Sequence, residues 1–83
     1  MALRVVFLGK LADLAGAPGL DLPAGTVTID WVGLLAALDP ALAAEADDKR
    51  VRVALNGELL SDKTILLAKD GDEVALLPPV SGG

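Results

Sequence analysis

Residues 70–83 read Asp-Gly-Asp-Glu-Val-Ala-Leu-Leu-Pro-Pro-Val-Ser-Gly-Gly, and this stretch decides the fold. An acidic turn leads into an apolar run over residues 73–77, which is typical of a buried β-strand. Pro78 and Pro79 carry no backbone N–H and hold φ at about −65°, so they cannot extend a sheet. The strand is therefore predicted to end at Leu77.

Beyond Leu77 the chain has the composition of a flexible, extended tail rather than of packed structure. Its residues are Pro78, Pro79, Val80, Ser81, Gly82 and Gly83. Paired prolines favour a polyproline-like conformation, and a tail of this length reaches about 20 Å. Glycines without side chains could enter a narrow cleft of another protein. We therefore predict a folded domain over residues 1–77 and a tail over residues 78–83 that delivers the Gly83 carboxylate to a partner.

The composition argues against a self-contained catalyst. The 83 residues suffice for one small domain, and 53% of them are hydrophobic, which can supply a core. There is no cysteine, which excludes disulfides and thiolate metal sites. Histidine, the commonest general base, is also absent, so neither Ser61 nor Ser81 can belong to a nucleophilic triad. Asp70 and Asp72 lack the further ligands of a calcium loop, and no metal site is predicted.

Charge and hydropathy restrict the partners and the location. The net charge of −5 argues against nucleic acid or an anionic membrane surface as partners, although it is also an ordinary means of solubility. No apolar run approaches the roughly 20 residues that span a bilayer. Residues 1–4 lack the layout of a signal peptide. We therefore expect a cytoplasmic protein with no membrane partner.

Strand patterns recur along the chain and are separated by turn signals. A short helical turn is predicted over residues 10–16, with Gly16 as its C-cap. Asn56-Gly57 is a strong signal for a type I′ hairpin. The predicted strands cover residues 3–8, 19–22, 51–55, 58–60 and 73–77.

One main helix is predicted from apolar residues at helical spacing, which are Trp31, Leu34, Leu35 and Leu38. Its start is ambiguous, because Thr28 and Asp30 could each act as N-cap and residues 26–29 alternate as a strand does. Asp39-Pro40 should end the helix, and Pro40 can open a second short helical turn that continues to Glu45.

This order of elements predicts an α+β fold of the β-grasp (ubiquitin-like) class. A mixed sheet of four to five strands would wrap around the main helix, because one helix covers only one face. The last strand should lie centrally beside the first, since these runs are the most apolar. Within it, Val74 and Leu76 should face the helix, and Ala75 and Leu77 should face the opposite surface.

The residues also carry a family resemblance. Residues 70–83 resemble the C-terminus of the MoaD-type sulfur carriers, the small subunits of molybdopterin synthase within the ubiquitin-like MoaD/ThiS family. Those proteins typically end in Gly-Asp-Glu-Val, two large apolar residues, Pro-Pro-Val, Ser or Thr, and Gly-Gly. Residues 6–16 and the Asn56-Gly57 hairpin are similar to the family as well. The resemblance covers most of the chain and is loose between residues 19 and 50.

The resemblance implies a sulfur-delivery cycle. A ubiquitin-activating-like adenylyltransferase would use ATP to adenylate the Gly83 carboxylate, and a sulfur donor would convert it to a thiocarboxylate. The large synthase subunit, in a heterotetramer of two small and two large subunits, would hold the active site where cyclic pyranopterin monophosphate receives the sulfur. The chain itself would be a non-catalytic subunit without a bound cofactor. The resemblance implies that Leu77 contacts the partner. Strand alternation predicts Ala75 on the same surface, and Leu59 or Leu60 is expected to extend the patch.

Other functions remain open at this point. A sister pathway, such as thiamine, cysteine or transfer-RNA thiolation, could use a carrier of the same fold, although the Pro-Pro-Val-Ser run fits the molybdopterin type better. A ubiquitin-like modifier would instead be conjugated to lysines through Gly83. A passive β-grasp interaction module would use no terminal chemistry.

Overall fold

The computed structural model describes residues 2–22 and 28–79. Within these residues, three short helices lie on one face of a five-stranded mixed sheet, and two further strands form a separate small sheet. The elements in chain order are β1 (Leu3–Phe7), α1 (Lys10–Ala15), β2 (Gly19–Leu22), β3 (Ile29–Asp30), α2 (Trp31–Ala37), α3 (Pro40–Ala46), β4 (Arg52–Leu55), β5 (Glu58–Leu59), β6 (Leu67–Ala68) and β7 (Glu73–Leu77). A 3₁₀ turn covers Lys63–Ile65.

The large sheet has the strand order β2-β1-β7-β4-β5. Strand β7 pairs in parallel with β1 and antiparallel with β4, so the last strand is central, as predicted. Its ends also agree with the prediction, since β7 covers Glu73–Leu77. The α+β, β-grasp arrangement expected from the order of elements is therefore the arrangement observed.

Strand alternation builds the core between the sheet and the helices. In β1 the buried residues are Leu3, Val5 and Phe7, and in β7 they are Val74 and Leu76. The helices and loops add Leu11, Trp31, Leu34, Leu38, Leu42, Ala46, Val51, Val53, Leu66 and Ala68. Each fully buried aliphatic side chain of this kind contributes about 1.5–3 kcal/mol relative to exposure, so the small domain depends on apolar packing.

The beginning of α2 settles the choice between the two candidate N-caps. The Oδ1 atom of Asp30 accepts a hydrogen bond from the Gly33 N–H at 2.8 Å, which is the N-cap geometry. Thr28 is exposed and precedes β3. Ile29 pairs with Ala68 of β6, so the strand character predicted near this point is real. The earlier part of that pattern, residues 26 and 27, lies outside the described residues.

The helical layer is divided where Asp39-Pro40 predicted an interruption. Helix α2 ends at Ala37, and Leu38 is extended with φ −93° and ψ 156°. Asp39 then caps α3, whose first residue is Pro40. The single main helix of the prediction is therefore a seven-residue helix, and the short turn expected after it is a second helix of seven residues.

Three strand ends differ by one residue from the prediction, because regular strand pairing stops one residue earlier than predicted at these ends. Leu8 lies beyond β1, although its N–H donates to Leu76 O at 3.3 Å. Leu60 lies beyond β5, although its N–H donates to Val53 O at 2.8 Å. Strand β4 begins at Arg52 rather than at Val51.

None of the helices in residues 2–22 and 28–79 has the length and apolar character needed to cross a membrane. The same described residues contain no group of three or more acidic side chains placed to hold a metal ion.

Candidate functional site: an apolar outer face beside the tail

The face of the sheet that points away from the helices carries a row of apolar residues. Register places Val6 beside Ala75, Ala75 beside Ala54, and Ala54 beside Leu59. These residues alternate with the buried ones of the same strands, so their side chains lie on the outer face. Leu59 is 53% exposed at the end of the row.

A second row lies next to the point where the tail begins. Arg52 pairs with Leu77, the last residue of β7. Leu8 follows the Phe7–Leu76 pair, so the same alternation places it beside Leu77 on the outer face, where it is 42% exposed. We use the name outer patch for the apolar members of both rows, which are Val6, Leu8, Ala54, Leu59, Ala75 and Leu77.

Charged residues border the outer patch. At the end away from the tail, Arg4 and Asp21 form an ion pair at 3.2 Å between Nη1 and Oδ1, and Glu73 pairs with Arg4 across the strands. At the tail end, the exposed Arg52 lies beside Leu77. An apolar centre with a polar rim is the usual anatomy of a protein–protein interface.

The predicted partner-binding residues divide between the two sides of the sheet. Ala75 and Leu77 are half-buried on the outer face, and Leu59 extends the same face. Leu60 instead packs against the core, because the residue after Leu59 must point to the opposite side. Of the two residues predicted to extend the patch, the structure places Leu59, and not Leu60, on the outer face, and contact of Leu59 with a partner stays a prediction.

Sequence reasoning missed Leu8 as a member of the patch. The signal was available, because Arg4, Val6 and Leu8 are the alternate partners of the buried residues of β1. Its position beside Leu77 depends on the parallel pairing of β1 with β7, which joins two segments from opposite ends of the chain.

The start of β7 is fixed by a polar network with the β4–β5 turn. Asn56 and Gly57 both have positive φ, 51° and 83°, which is the conformation expected of this hairpin. The Asn56 side chain donates from Nδ2 to Asp72 Oδ1 at 3.1 Å and accepts from the Glu73 N–H at 2.8 Å. Asp72 Oδ2 also accepts from the Lys69 N–H at 3.0 Å. The Asn56 side chain, with the Lys69 N–H next, holds the pKa of Asp72 below its ordinary value.

The tail leaves the sheet beside the outer patch. The Leu8 N–H donates to Leu76 O at 3.3 Å, which is the last hydrogen bond between the two central strands. Pro78 and Pro79 follow Leu77 and are half-buried. The predicted tail residues Val80, Ser81, Gly82 and Gly83 lie outside the described residues.

Comparison with known proteins finds relatives along the whole chain. A sequence profile of the ThiS family matches residues 5–83. A molybdopterin synthase sulfur carrier subunit from Chlamydomonas reinhardtii is 35% identical over 85 aligned positions, covering 100% of both chains. A protein of the same description from Escherichia coli K12 is 32% identical and is covered to 99%, with 98% of this chain aligned.

Solved structures share the fold along the whole chain. SAMP1 from Haloferax volcanii superposes with a TM-score of 0.74 at 29% identity, with 100% of each chain covered. The complex of subunits 1 and 2 of molybdopterin-converting factor from Helicobacter pylori contains a chain that superposes with a TM-score of 0.65 at 30% identity, again with 100% coverage of both. These matches confirm the β-grasp class and the resemblance read from the sequence. The chain belongs to the ThiS family.

Proposed function

We propose that this chain is the sulfur carrier subunit of a molybdopterin synthase. The observation that carries the proposal is similarity over 98–100% of this chain to three relatives that share this description, from an alga, a plant and a bacterium. The structure supports it with an apolar face placed beside the strand that leads into the tail. A sister pathway or a modifier role is not favoured by these relatives.

The chemistry would take place at the carboxylate of Gly83. A carboxylate is a poor acyl donor, so one of its oxygens attacks the α-phosphorus of ATP, pyrophosphate leaves, and an acyl-adenylate forms. A donor that supplies sulfur at the oxidation level of sulfide then attacks the acyl carbon and displaces AMP, which leaves a thiocarboxylate. No histidine or cysteine occurs in the chain, so the general acids and bases for these steps belong to the partners.

The outer patch is the surface through which the carrier would dock. Contact there would seat Leu77 at the interface and direct the following prolines into a cleft of the large subunit. The Helicobacter pylori neighbour, a complex of two subunits, supports a large-subunit partner. We further propose a heterotetramer of two small and two large subunits, and a ubiquitin-activating-like adenylyltransferase as a second partner. Dependence on ATP makes the cytoplasm the expected location.

The sulfur then passes to the pterin precursor, cyclic pyranopterin monophosphate, on the large subunit. The thiocarboxylate sulfur attacks a carbon of the precursor and displaces an oxygen substituent from it. Water then attacks the acyl carbon, the acyl C–S bond breaks so that the sulfur stays on the precursor, and the carboxylate of Gly83 is restored. Paired prolines reduce the conformational freedom that the tail loses on docking, which favours binding.

Intact mass spectrometry tests this proposal. The chain is incubated with ATP, an activating enzyme of this class and a sulfur source, and its mass is measured. We expect the gain that corresponds to replacing one oxygen by sulfur, followed by conversion of the pterin precursor when a large subunit is added. An unchanged mass would refute the carrier function. Sulfur gain without pterin conversion by any large subunit would indicate a sister pathway, and conjugate ladders in a lysate would indicate a modifier.

A further inference from the structure

The chain turn that follows β1 lies against the first residue of the tail. The parallel pairing of β1 and β7 ends after the Leu8–Leu76 hydrogen bond. At Gly9 the chain leaves the sheet with φ 55° and ψ −132° and enters α1. Pro78 therefore has no continuing strand beside it and meets the Gly9 turn instead.

The contact between Gly9 and Pro78 leaves too little room for a side chain unless the proline ring shifts. A Cβ atom placed on Gly9 would lie 3.0 Å from Pro78 Cγ and 3.9 Å from Pro78 Cδ. A separation of 3.0 Å is shorter than ordinary van der Waals contact between carbon atoms, which is about 3.5–4.0 Å. The proline ring thus occupies the space that glycine leaves open.

The Gly9 turn is itself held in place. Its carbonyl accepts hydrogen bonds from the N–H groups of Ala12 at 3.0 Å and Asp13 at 3.4 Å, and Leu8 O accepts from the Leu11 N–H at 3.1 Å. Leu11 is fully buried. The turn is therefore a fixed support rather than a loose loop, and the ring of Pro78 lies on a defined surface.

The direction of Pro78 sets the direction in which the tail leaves the fold. For a fully extended tail of about 20 Å, a rotation of about 10° at its base would move the end by about 3.5 Å. Displacements of about 1 Å at a reacting group can reduce a rate by about 100-fold. We propose that Gly9 is a positioning residue, which sets the direction of the tail by accommodating the ring of Pro78. This inference rests on the proposed carrier function.

The test compares two glycine substitutions at opposite ends of α1. Gly9→Ala introduces both backbone strain and the contact with Pro78. Gly16→Ala is the control for a positive φ, because Gly16 has φ 72° and no atom within 4 Å of its Cβ position. Gly16 lies in the left-handed helical region, with ψ 16°, whereas Gly9, with ψ −132°, lies where alanine is more strained. The contact with the tail is therefore isolated only when Pro78 is changed as well.

The readout is pyrophosphate release by the activating enzyme, with kcat and KM of the carrier determined separately. We expect Gly9→Ala to lower kcat about tenfold relative to Gly16→Ala, with KM within about twofold, because the substitution misdirects the tail without removing a side chain from the surface. An equal kcat for the two variants, each expressed per folded molecule, would overturn the proposal.

A double-mutant cycle tests the same contact from the tail. Pro78→Ala removes the Cγ atom that a Cβ at position 9 would approach. In that background the loss caused by Gly9→Ala should shrink to within about twofold of the Gly16→Ala loss. An undiminished loss would overturn the role assigned to the contact. If Gly9→Ala does not fold, Pro78→Ala alone should lower kcat several-fold at constant KM, and an unaltered kcat overturns the proposal.

Adenylation of the natural chain shows whether a negative result refutes the carrier function or only the role of Gly9. A natural chain that is never adenylated refutes the carrier function together with this inference. A natural chain that is adenylated while Gly9→Ala equals Gly16→Ala leaves the function intact and removes only the positioning role.

Discussion

Asn56 Nδ2 donates a hydrogen bond to Asp72 Oδ1 at 3.1 Å, which joins the β4–β5 hairpin turn to the residue that precedes β7. A backbone hydrogen bond joins the same two segments, since the Asn56 N–H donates to Glu73 O at 2.7 Å. Strand β7 carries two of the outer-patch residues and leads into the tail. The pair therefore fixes the register of the strand on which the proposed function depends.

Substitution of Asn56 by glycine should destabilise the fold without disturbing the turn. Glycine accepts the positive φ of this position, so the change removes only the side-chain hydrogen bonds to Asp72 and to the Glu73 N–H. We expect a loss of about 1–2 kcal/mol in the free energy of unfolding, measured by urea denaturation. Asn56→Ala should lose more because alanine adds backbone strain, and equal stabilities of the natural chain and Asn56→Gly would contradict the prediction.

Stability should decrease in acid, and Asp72 should account for part of the decrease. The hydrogen bond from Asn56 lowers the pKa of Asp72 in the folded state, so below the unfolded value of about 3.9 the unfolded chain binds more protons. The contribution is present above that value and is lost as the pH falls through the folded pKa. Asp72→Asn should flatten this part of the pH–stability curve, and a curve of unchanged shape in that variant would contradict the prediction.

Loss of the Lys63 ammonium should leave several backbone carbonyls without a donor. Its Nζ donates to Ala46 O at 3.1 Å, to Val51 O at 3.2 Å and to Asp48 O, and it lies 5.3 Å from the centroid of the Trp31 ring. Lys63→Met keeps most of the apolar stem, so we expect a loss of about 2 kcal/mol from the hydrogen bonds alone.

Lys69→Met is the matched control for that substitution. Lys69 Nζ makes a single long contact with Asp72 Oδ1 at 3.4 Å, and its side chain is exposed, so its loss should change the unfolding free energy by less than about 1 kcal/mol. Equal effects of the two substitutions in thermal or urea unfolding would show that the Lys63 carbonyl contacts add little.

The sequence was sufficient to predict the structure wherever neighbouring residues determine the backbone conformation. Pro78 has no backbone N–H to donate to a neighbouring strand, and β7 ends at Leu77. Asn56-Gly57 adopts positive φ at both positions, as a two-residue hairpin requires. Asp39 before Pro40 is extended, with φ −54° and ψ 140°, and interrupts the helical layer.

The sequence was insufficient to predict the structure where a residue's position depends on pairing with a distant segment of the chain. Asp30 rather than Thr28 caps α2 because Ile29 is held in a ladder with Ala68, a residue far along the chain. The position of Leu8 beside the patch and of Gly9 against the tail likewise follows from the pairing of β1 with β7. Local propensity carries no information about such partners.

Substitution of two adjacent residues of β7 by aspartate should have different effects, one on binding and the other on folding. Leu77→Asp places a carboxylate on the outer face and should weaken binding of the large subunit at least tenfold, as measured by calorimetry, with a small change in thermal midpoint. Leu76 is fully buried, so Leu76→Asp should unfold the domain.

Two further aspartate substitutions at exposed positions test whether the effect of Leu77→Asp is specific to the outer patch. Leu59→Asp changes another member of the outer patch and should also weaken binding of the large subunit. Val32→Asp changes a residue of α2 that is 73% exposed and lies apart from the outer patch, so it should leave the affinity unaltered. Unfolding caused by Leu77→Asp, or a weakened complex with Val32→Asp, would show that the docking face is assigned wrongly.

Changes at Gly83 should separate function from folding. Deleting Gly83, or adding a few residues after it, removes or blocks the carboxylate that the proposed cycle activates, so formation of the thiocarboxylate should fall below detection. The thermal midpoint should change by less than about 1 °C, because the core is built from residues of the strands and helices before Pro78. Gly16→Ala serves as the opposite control, since a positive φ of 72° predicts a measurable loss of stability with sulfur loading retained. A large drop in midpoint on deletion of Gly83 would mean that the tail belongs to the fold, and sulfur loading of the extended chain would exclude the terminal carboxylate as the reacting group.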